Sequence, residues 1–216
     1  MRRGYEDLER DNPYLVLPRR LARMREVLAR RQKDLVLFLD RVKNEHNFSA
    51  LIRTAEAVGL QEIWYGFEEP YEAPINVGVT LGAHRWVFLR KTEDPRATLE
   101  DFRNRGFQVV VTWLGAGTRD FREVDYTRPT VIVVGNEVEG VSPELLPLAT
   151  HRIMIPMVGM VRSLNVSVAT AVILYEAFRQ REAAGLYERP QLSSSEIEAI
   201  LRKWAYEDVL RQRRKK

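Results

Sequence analysis

Three stretches of this sequence combine residue types that could carry chemistry. Asn47 and Arg53 lie six residues apart in HNFSALIRT, with Arg53 set among Leu51, Ile52 and Ala55. One reading is an Arg that packs its stem on the core and keeps its head in water. The other aims its planar fork at a phosphate, which it can hold with two bonds. GNEVEGVS (Gly135–Ser142) places Asn136, Glu137 and Glu139 between two glycines. It reads as a turn in which Ser142 caps a helix beginning at Pro143, and its two acids could also face a cation. IPMVGMVRSLNVSVATA (Ile155–Ala171) opens with an apolar loop that carries no charge before Arg162 and then runs into Ser163-Leu164-Asn165. Loops are ordinarily polar because their backbone groups must meet water, so this one needs a reason.

The elements that must hold these stretches alternate. Apolar runs of buried-strand type occur in DLVLFLD (Asp34–Asp40), EIWYGF, RWVFLR, FQVVVTW, PTVIVVG and RIMIP. Between them lie helical patterns: FSALIRTAEAVG closed by Gly59, a weak one in NVGVTLGA, and DPRATLEDFRNRG from Asp94–Pro95 to Gly106. Two long helices end the chain, SLNVSVATAVILYEAFRQREAAG and SSSEIEAILRKWAYEDVLRQRRKK, the last with a Ser cap. Six strands interleaved with helices predict an α/β fold with a parallel six-stranded sheet. In such sheets ligands bind beyond the C-terminal strand ends, where all three stretches fall.

Composition narrows the function. The chain has 216 residues and no Cys, which excludes disulfides and Cys-based zinc sites. It has no apolar run of membrane-spanning length and no leader-like start, so a cytoplasmic protein that does not enter membranes is expected. The net charge of +4 is unevenly spread. Pro18–Asp34 and Arg202–Lys216 each hold seven basic residues against two acids, +5 apiece, which leaves −6 for the rest. Basic ends on an acidic body fit a grip on a phosphate backbone, and equally two solvated basic helices. LGAGT (Leu114–Thr118) has Gly115 and Gly117 after a strand, but Asp120 stands where a dinucleotide fingerprint needs its third Gly.

Taken together, Asn47…Arg53, GNEVEGVS and IPMVGMVRSLNVSVATA resemble, in order, the three motifs of the SpoU/TrmH branch of the SPOUT RNA methyltransferases. RTAEAVG, HRWV, DFREVDYT and AGLYERP add to the likeness, which runs from about Leu21 to Pro190. Asn47-Phe48-Ser49 departs from the N-x-G of many relatives and resembles the subgroup acting on guanosine 18 of tRNA. The resemblance implies a sheet whose C-terminal part is tied into a deep trefoil knot. It implies a catalytic domain over 35–190, a basic N-terminal extension over 1–34 and a basic C-terminal helix over 191–216.

The activity implied is S-adenosylmethionine (AdoMet)-dependent 2′-O-methylation of a ribose in RNA, with guanosine 18 in the tRNA D-loop as target and no metal. Ribosomal RNA is the alternative substrate, and a non-catalytic RNA-binding protein of the same fold the alternative function. By resemblance, Thr112, Gly135, Ile155, Met157, Ser163, Leu164 and Asn165 bind AdoMet. The apolar loop then has its reason: an adenine ring needs a flat apolar slot with its edge read by backbone groups. Arg53 would act on the 2′-hydroxyl, Asn47 would position Arg53 and the ribose, and Glu137 would orient the AdoMet loop or complement the sulfonium charge. Arg23, Arg179, Arg181 and Arg189 would bind tRNA. A homodimer built on the helix after Asn165 is expected, because that helix is apolar nearly all the way round.

Overall fold

The computed structural model describes residues 14, 16–67 and 73–214. Most of the stretch Met1–Leu17 and the final Lys215 and Lys216 of the basic C-terminal helix lie outside the described residues. The chain divides into two compact units, one from Gln32 to Leu186 and one made of the two chain ends.

The larger unit is built on a parallel sheet of seven strands: β1 (Leu35–Asp40), β2 (Glu62–Gly66), β3 (Phe88–Thr92), β4 (Gln108–Thr112), β5 (Arg119–Asp120), β6 (Thr130–Val134) and β7 (His151–Met154). Their order is β3-β2-β1-β6-β4-β7-β5. Six were expected. The seventh, β5, is two residues long and pairs Arg119 with Ile153 and Asp120 with Met154. Two residues carry no period for a sequence pattern to reveal.

Central β1 and β6 pair in register from Leu35–Thr130 to Leu39–Val134, and both are buried throughout. Alternation divides β1 between two cores. Leu35, Leu37 and Leu39 meet Phe48, Leu51, Ile52, Ile173 and Leu174 on one face. Val36 and Phe38 meet Leu99, Phe102 and Leu145 on the other.

The non-basic helices follow from their caps. In the second helix, α2 (Glu45–Ala57), the Asn44 side chain accepts from Asn47 N–H. In α4 (Pro95–Asn104), Asp94 accepts from Ala97 N–H, Pro95 occupies the first turn, and Gly106 follows at φ +86°. The weak pattern in NVGVTLGA is a single turn, α3 (Val77–Thr80), closed by Leu81 at φ +49°. The helix α5 (Val166–Ala183) is capped by Asn165, whose Oδ1 accepts from Ser167 N–H. Ser142 departs from expectation: it makes no cap bond, and Pro143–Leu148 is a 3-10 segment. Its hydroxyl goes elsewhere, as described below.

The smaller unit contains α1 (Pro18–Ala29) and α6 (Ser194–Arg214). A capping box starts α6: Ser193 Oγ accepts from Glu196 N–H at 3.3 Å and Glu196 Oε2 accepts from Ser193 N–H at 2.8 Å. Arg20 pairs with Asp208 at 3.1 Å, and the buried Arg31 lies 5.8 Å from the Trp204 ring centroid.

Candidate AdoMet site

The exits of β4, β6 and β7 converge on one cavity of about 600 Å³. Thr112 stands at the end of β4, Gly135 follows β6, and Ile155, Met157, Ser163, Leu164 and Asn165 follow β7; all seven line the cavity, as does Glu137. Ile153, Ile155, Leu164 and Ile173 make much of the wall apolar. The hydroxyl of Ser163 has no hydrogen-bond partner among the described residues and is free to meet a ligand. Thr112 Oγ1 donates to Val133 O at 3.2 Å, which fixes it on the sheet.

A Cβ at position 135 would lie 2.1 Å from the carbonyl carbon of Gly140. Only glycine lets this loop close on itself, which it does through Asn136 N–H to Gly140 O at 3.0 Å and Gly140 N–H to Asn136 O at 2.9 Å. Asn136 Oδ1 also accepts from Val138 N–H at 2.9 Å. The loop is therefore closed on itself and forms one wall of the cavity.

Asn47 reaches this wall from α2. Its Nδ2 donates to Glu137 Oε1 at 3.0 Å, and its Oδ1 accepts from Asn165 Nδ2 at 3.0 Å. One side-chain amide thus joins all three sequence stretches. Asn165 spends its own carbonyl on Ser167, with 2.9 Å to the N–H and 2.6 Å to the hydroxyl.

Arg53 stands apart from this network. It is exposed on α2, does not line the cavity, and has no hydrogen-bond or ion-pair partner among the described residues. Asn47 makes no bond to it. Six residues along a helix turn a side chain by about 600°, so the two cannot share a face.

The four arginines expected to bind tRNA separate sharply. Arg23 is exposed on α1 and pairs with Glu26 at 2.8 Å. Arg179 is exposed and pairs with Glu176 at 2.7 Å, and Arg189 is exposed. Arg181 is a correction: it is 0% exposed. Its guanidinium donates to Tyr126 O, Gln32 Oε1, Asp34 Oδ1, Asp34 O and Arg128 O. Two residues along a helix is about 200°, so if Arg179 faces solvent Arg181 must face the interior.

The sequence reading also missed residues. Asp40, at the end of β1, is buried, and its Oδ2 accepts from both the N–H and the hydroxyl of Ser142 at 2.7 Å. Burial pushes its carboxyl up, against the two Ser142 hydrogen bonds and the neighbouring Arg41. The signal was present: an acid closing an apolar run, with nothing in the run to pair it.

The sequence from residue 34 to 175 matches the SpoU rRNA Methylase family, and 179–216 matches the family's C-terminal region. The chain belongs to the SpoU family. It is 59% identical over 202 residues to the tRNA (guanosine(18)-2′-O)-methyltransferase of Aquifex aeolicus, covering 94% of this chain and 96% of that one. The crystal structure of the A. aeolicus TrmH/SpoU tRNA modifying enzyme superposes with a TM-score of 0.85 at 60% identity, over 88% of this chain and 97% of that one. An AdoMet-bound rRNA methyltransferase from Sinorhizobium meliloti matches with a TM-score of 0.63 at 32% identity, over 72% of this chain and 59% of that one.

Membership in the SpoU family makes AdoMet the ligand to test against the cavity. The donor set fits it. The apolar wall of Ile155 and Leu164 suits an adenine ring, and the free Ser163 hydroxyl suits a polar group of the ligand. Glu137 offers a carboxylate to a sulfonium cation. No helix among the described residues is long and apolar enough to cross a membrane.

Proposed function

We propose that this SpoU-family protein binds AdoMet in the β4–β6–β7 cavity and methylates the ribose 2′-oxygen of guanosine 18 in tRNA. The observation that carries the reading is the Asn47 amide, which ties the α2 motif to two cavity-lining residues, Glu137 and Asn165. The identity to the A. aeolicus tRNA methyltransferase supports guanosine 18 over a ribosomal target.

When bound, AdoMet supplies an electrophilic methyl group. The chain has to place a 2′-hydroxyl in line with it and let the proton leave. Positioning of this kind can lower a barrier by about 7–11 kcal/mol. Arg53 holds the hydroxyl and the adjacent 3′ phosphate, and the proton leaves through that phosphate. A guanidinium that stays protonated is suited to holding an anion and unsuited to acting as a free base. Asn47 and Glu137 keep the cavity wall in register. Arg23, Arg179 and Arg189, together with the basic segments 1–34 and 191–216, grip the tRNA backbone around the catalytic segment 35–190.

The working form is a homodimer. Val168, Val172 and Tyr175 are exposed at spacings of four and three on α5, which leaves an apolar stripe. Arg53 is exposed on α2, which packs with α5 on the same face of the sheet. A partner seated there covers the stripe and receives Arg53 at its own cavity. Such an interface buries more than about 2,000 Å² in total. The deep trefoil knot belongs to the same proposal. Its support is that β7, last in the chain, pairs between β4 and β5, and that its exit loop meets the exits of β4 and β6 around one cavity.

The test mixes two impaired variants at an AdoMet concentration below the Kd of Asn165→Ala, where neither methylates alone. Arg53→Ala subunits combined with Asn165→Ala subunits recover methylation of a tRNA transcript if each site is shared between chains. No recovery from mixed dimers contradicts the shared site. A transcript with 2′-deoxyguanosine at position 18 accepts no methyl group if the target is right.

A further inference from the structure

We infer that Asp40 and Arg41, at the exit of β1, are positioning residues for the AdoMet site: they clamp the Gly135–Ser142 loop, so that its glycine end forms the cavity wall and Glu137 meets Asn47. The inference rests on the cavity being the AdoMet site and names residues of that site that none of its three motifs contains.

The clamp has three points. Ser142, at the far end of the loop, gives both its N–H and its hydroxyl to Asp40 Oδ2 at 2.7 Å. Asn136, at the near end, donates from Nδ2 to the Arg41 carbonyl at 3.0 Å. Between them Glu139 Oε2 accepts from the Arg41 guanidinium at 2.9 Å. Arg41 is itself anchored, donating from its backbone N–H to Gly66 O at 3.0 Å. The loop that supplies Gly135 and Glu137 to the cavity is therefore fastened to the sheet at its start, middle and end.

The junction is costly by itself. A carboxylate 1% exposed loses its hydration. Arg41 adopts φ +55°, a left-handed conformation that side chains with a Cβ rarely take. Both departures from easy geometry fall on consecutive residues, and both serve the same loop. Strain held in this way is found where surrounding structure must fix a functional segment. A turn that only joined β6 to the next segment could be closed by its own Asn136–Gly140 bonds without either.

Asp40, Arg41 and Ser142 do not line the cavity, so any effect of changing them on AdoMet must pass through the loop. The experiment is isothermal titration of AdoMet into the full-length wild-type protein and into Asp40→Ala, Ser142→Ala, Arg41→Gly and Ser142→Thr, with tRNA binding and thermal unfolding measured on each. Gly at position 41 keeps the backbone conformation and removes the Glu139 bond. Expected is a rise in the AdoMet Kd of about fivefold or more for Asp40→Ala, Ser142→Ala and Arg41→Gly. The tRNA Kd stays within about twofold, and Ser142→Thr, which keeps both donors, stays near wild type. If Asp40→Ala does not fold, Ser142→Ala and Arg41→Gly carry the test. Lowered melting temperatures with unchanged AdoMet affinity, or equal loss of AdoMet and tRNA binding, overturn the inference. A wild-type protein that fails to bind AdoMet overturns the assignment of the cavity instead.

Discussion

Asn165 donates from Nδ2 to Asn47 Oδ1 at 3.0 Å, across 118 positions of the chain. The same Asn47 amide donates to Glu137, so its two ends are both engaged and its orientation is set. Removing Asn47 or Asn165 deletes a solvent-exposed hydrogen bond whose partner water can then reach, a loss of about 0.5–1.5 kcal/mol. Asn165→Ala and Asn47→Ala should each weaken AdoMet binding by that order. In a double-mutant cycle read by titration, the pair should couple by about 0.5–1.5 kcal/mol, because the two residues share one bond. Additive losses contradict a joint role.

Arg53 is exposed, without a partner among the described residues, and outside the cavity lining. Arg53→Ala should abolish methyl transfer and leave the AdoMet Kd and the melting temperature unchanged. Turnover near wild type removes Arg53 from the reaction. Loss of AdoMet binding gives it a structural role.

Arg181 and Arg179 are two positions apart and should fail in opposite ways. Arg181→Ala leaves the Asp34 carboxylate and several carbonyls without their donor, a change of about 3 kcal/mol. For a chain of this size that lowers the melting temperature by roughly 6–12 °C. Arg179→Ala should leave stability alone and weaken tRNA binding, with the salt slope falling by about 0.7–0.9 for one lost phosphate contact. An unaltered salt slope would return Arg179 to the solvated surface.

The contrast shows what sequence could reveal. Strands β1 and β6 are continuous apolar runs because both faces are covered, and α4 carries its start and stop in Asp94, Pro95 and Gly106, so each is legible locally. The cavity residues were legible because an apolar loop ending in Ser163-Leu164-Asn165 resembles a known motif. Arg181 was not, because its partners Gln32 and Asp34 lie about 150 positions away and its burial depends on where they arrive. Ser142 was misread for the same reason. A Ser before a Pro at the head of a turn looks like a cap, and only the fold brings Asp40 within its reach.

Asp40 gives a pH dependence with a definite sign. Its carboxyl is raised above the ordinary Asp value, chiefly by burial, so between the unfolded and folded values the folded state binds more proton than the unfolded chain. Stability from this group is present below the unfolded value, about 3.9, and is lost as pH rises through the raised folded value. Asp40→Asn cannot titrate. The stability of Asp40→Asn relative to wild type should therefore increase from about pH 4 upward and level off above the folded value, as read by urea unfolding at stepped pH. A flat or falling difference contradicts the sign.

The most direct measurement concerns the product. An unmodified tRNA transcript is incubated with the purified protein and AdoMet, digested, and its nucleosides and fragments are located by mass spectrometry. The expected result is a single added methyl group on the ribose of guanosine 18. The absence of methylation at that ribose, or methylation of a base or of another nucleotide instead, contradicts the proposed function.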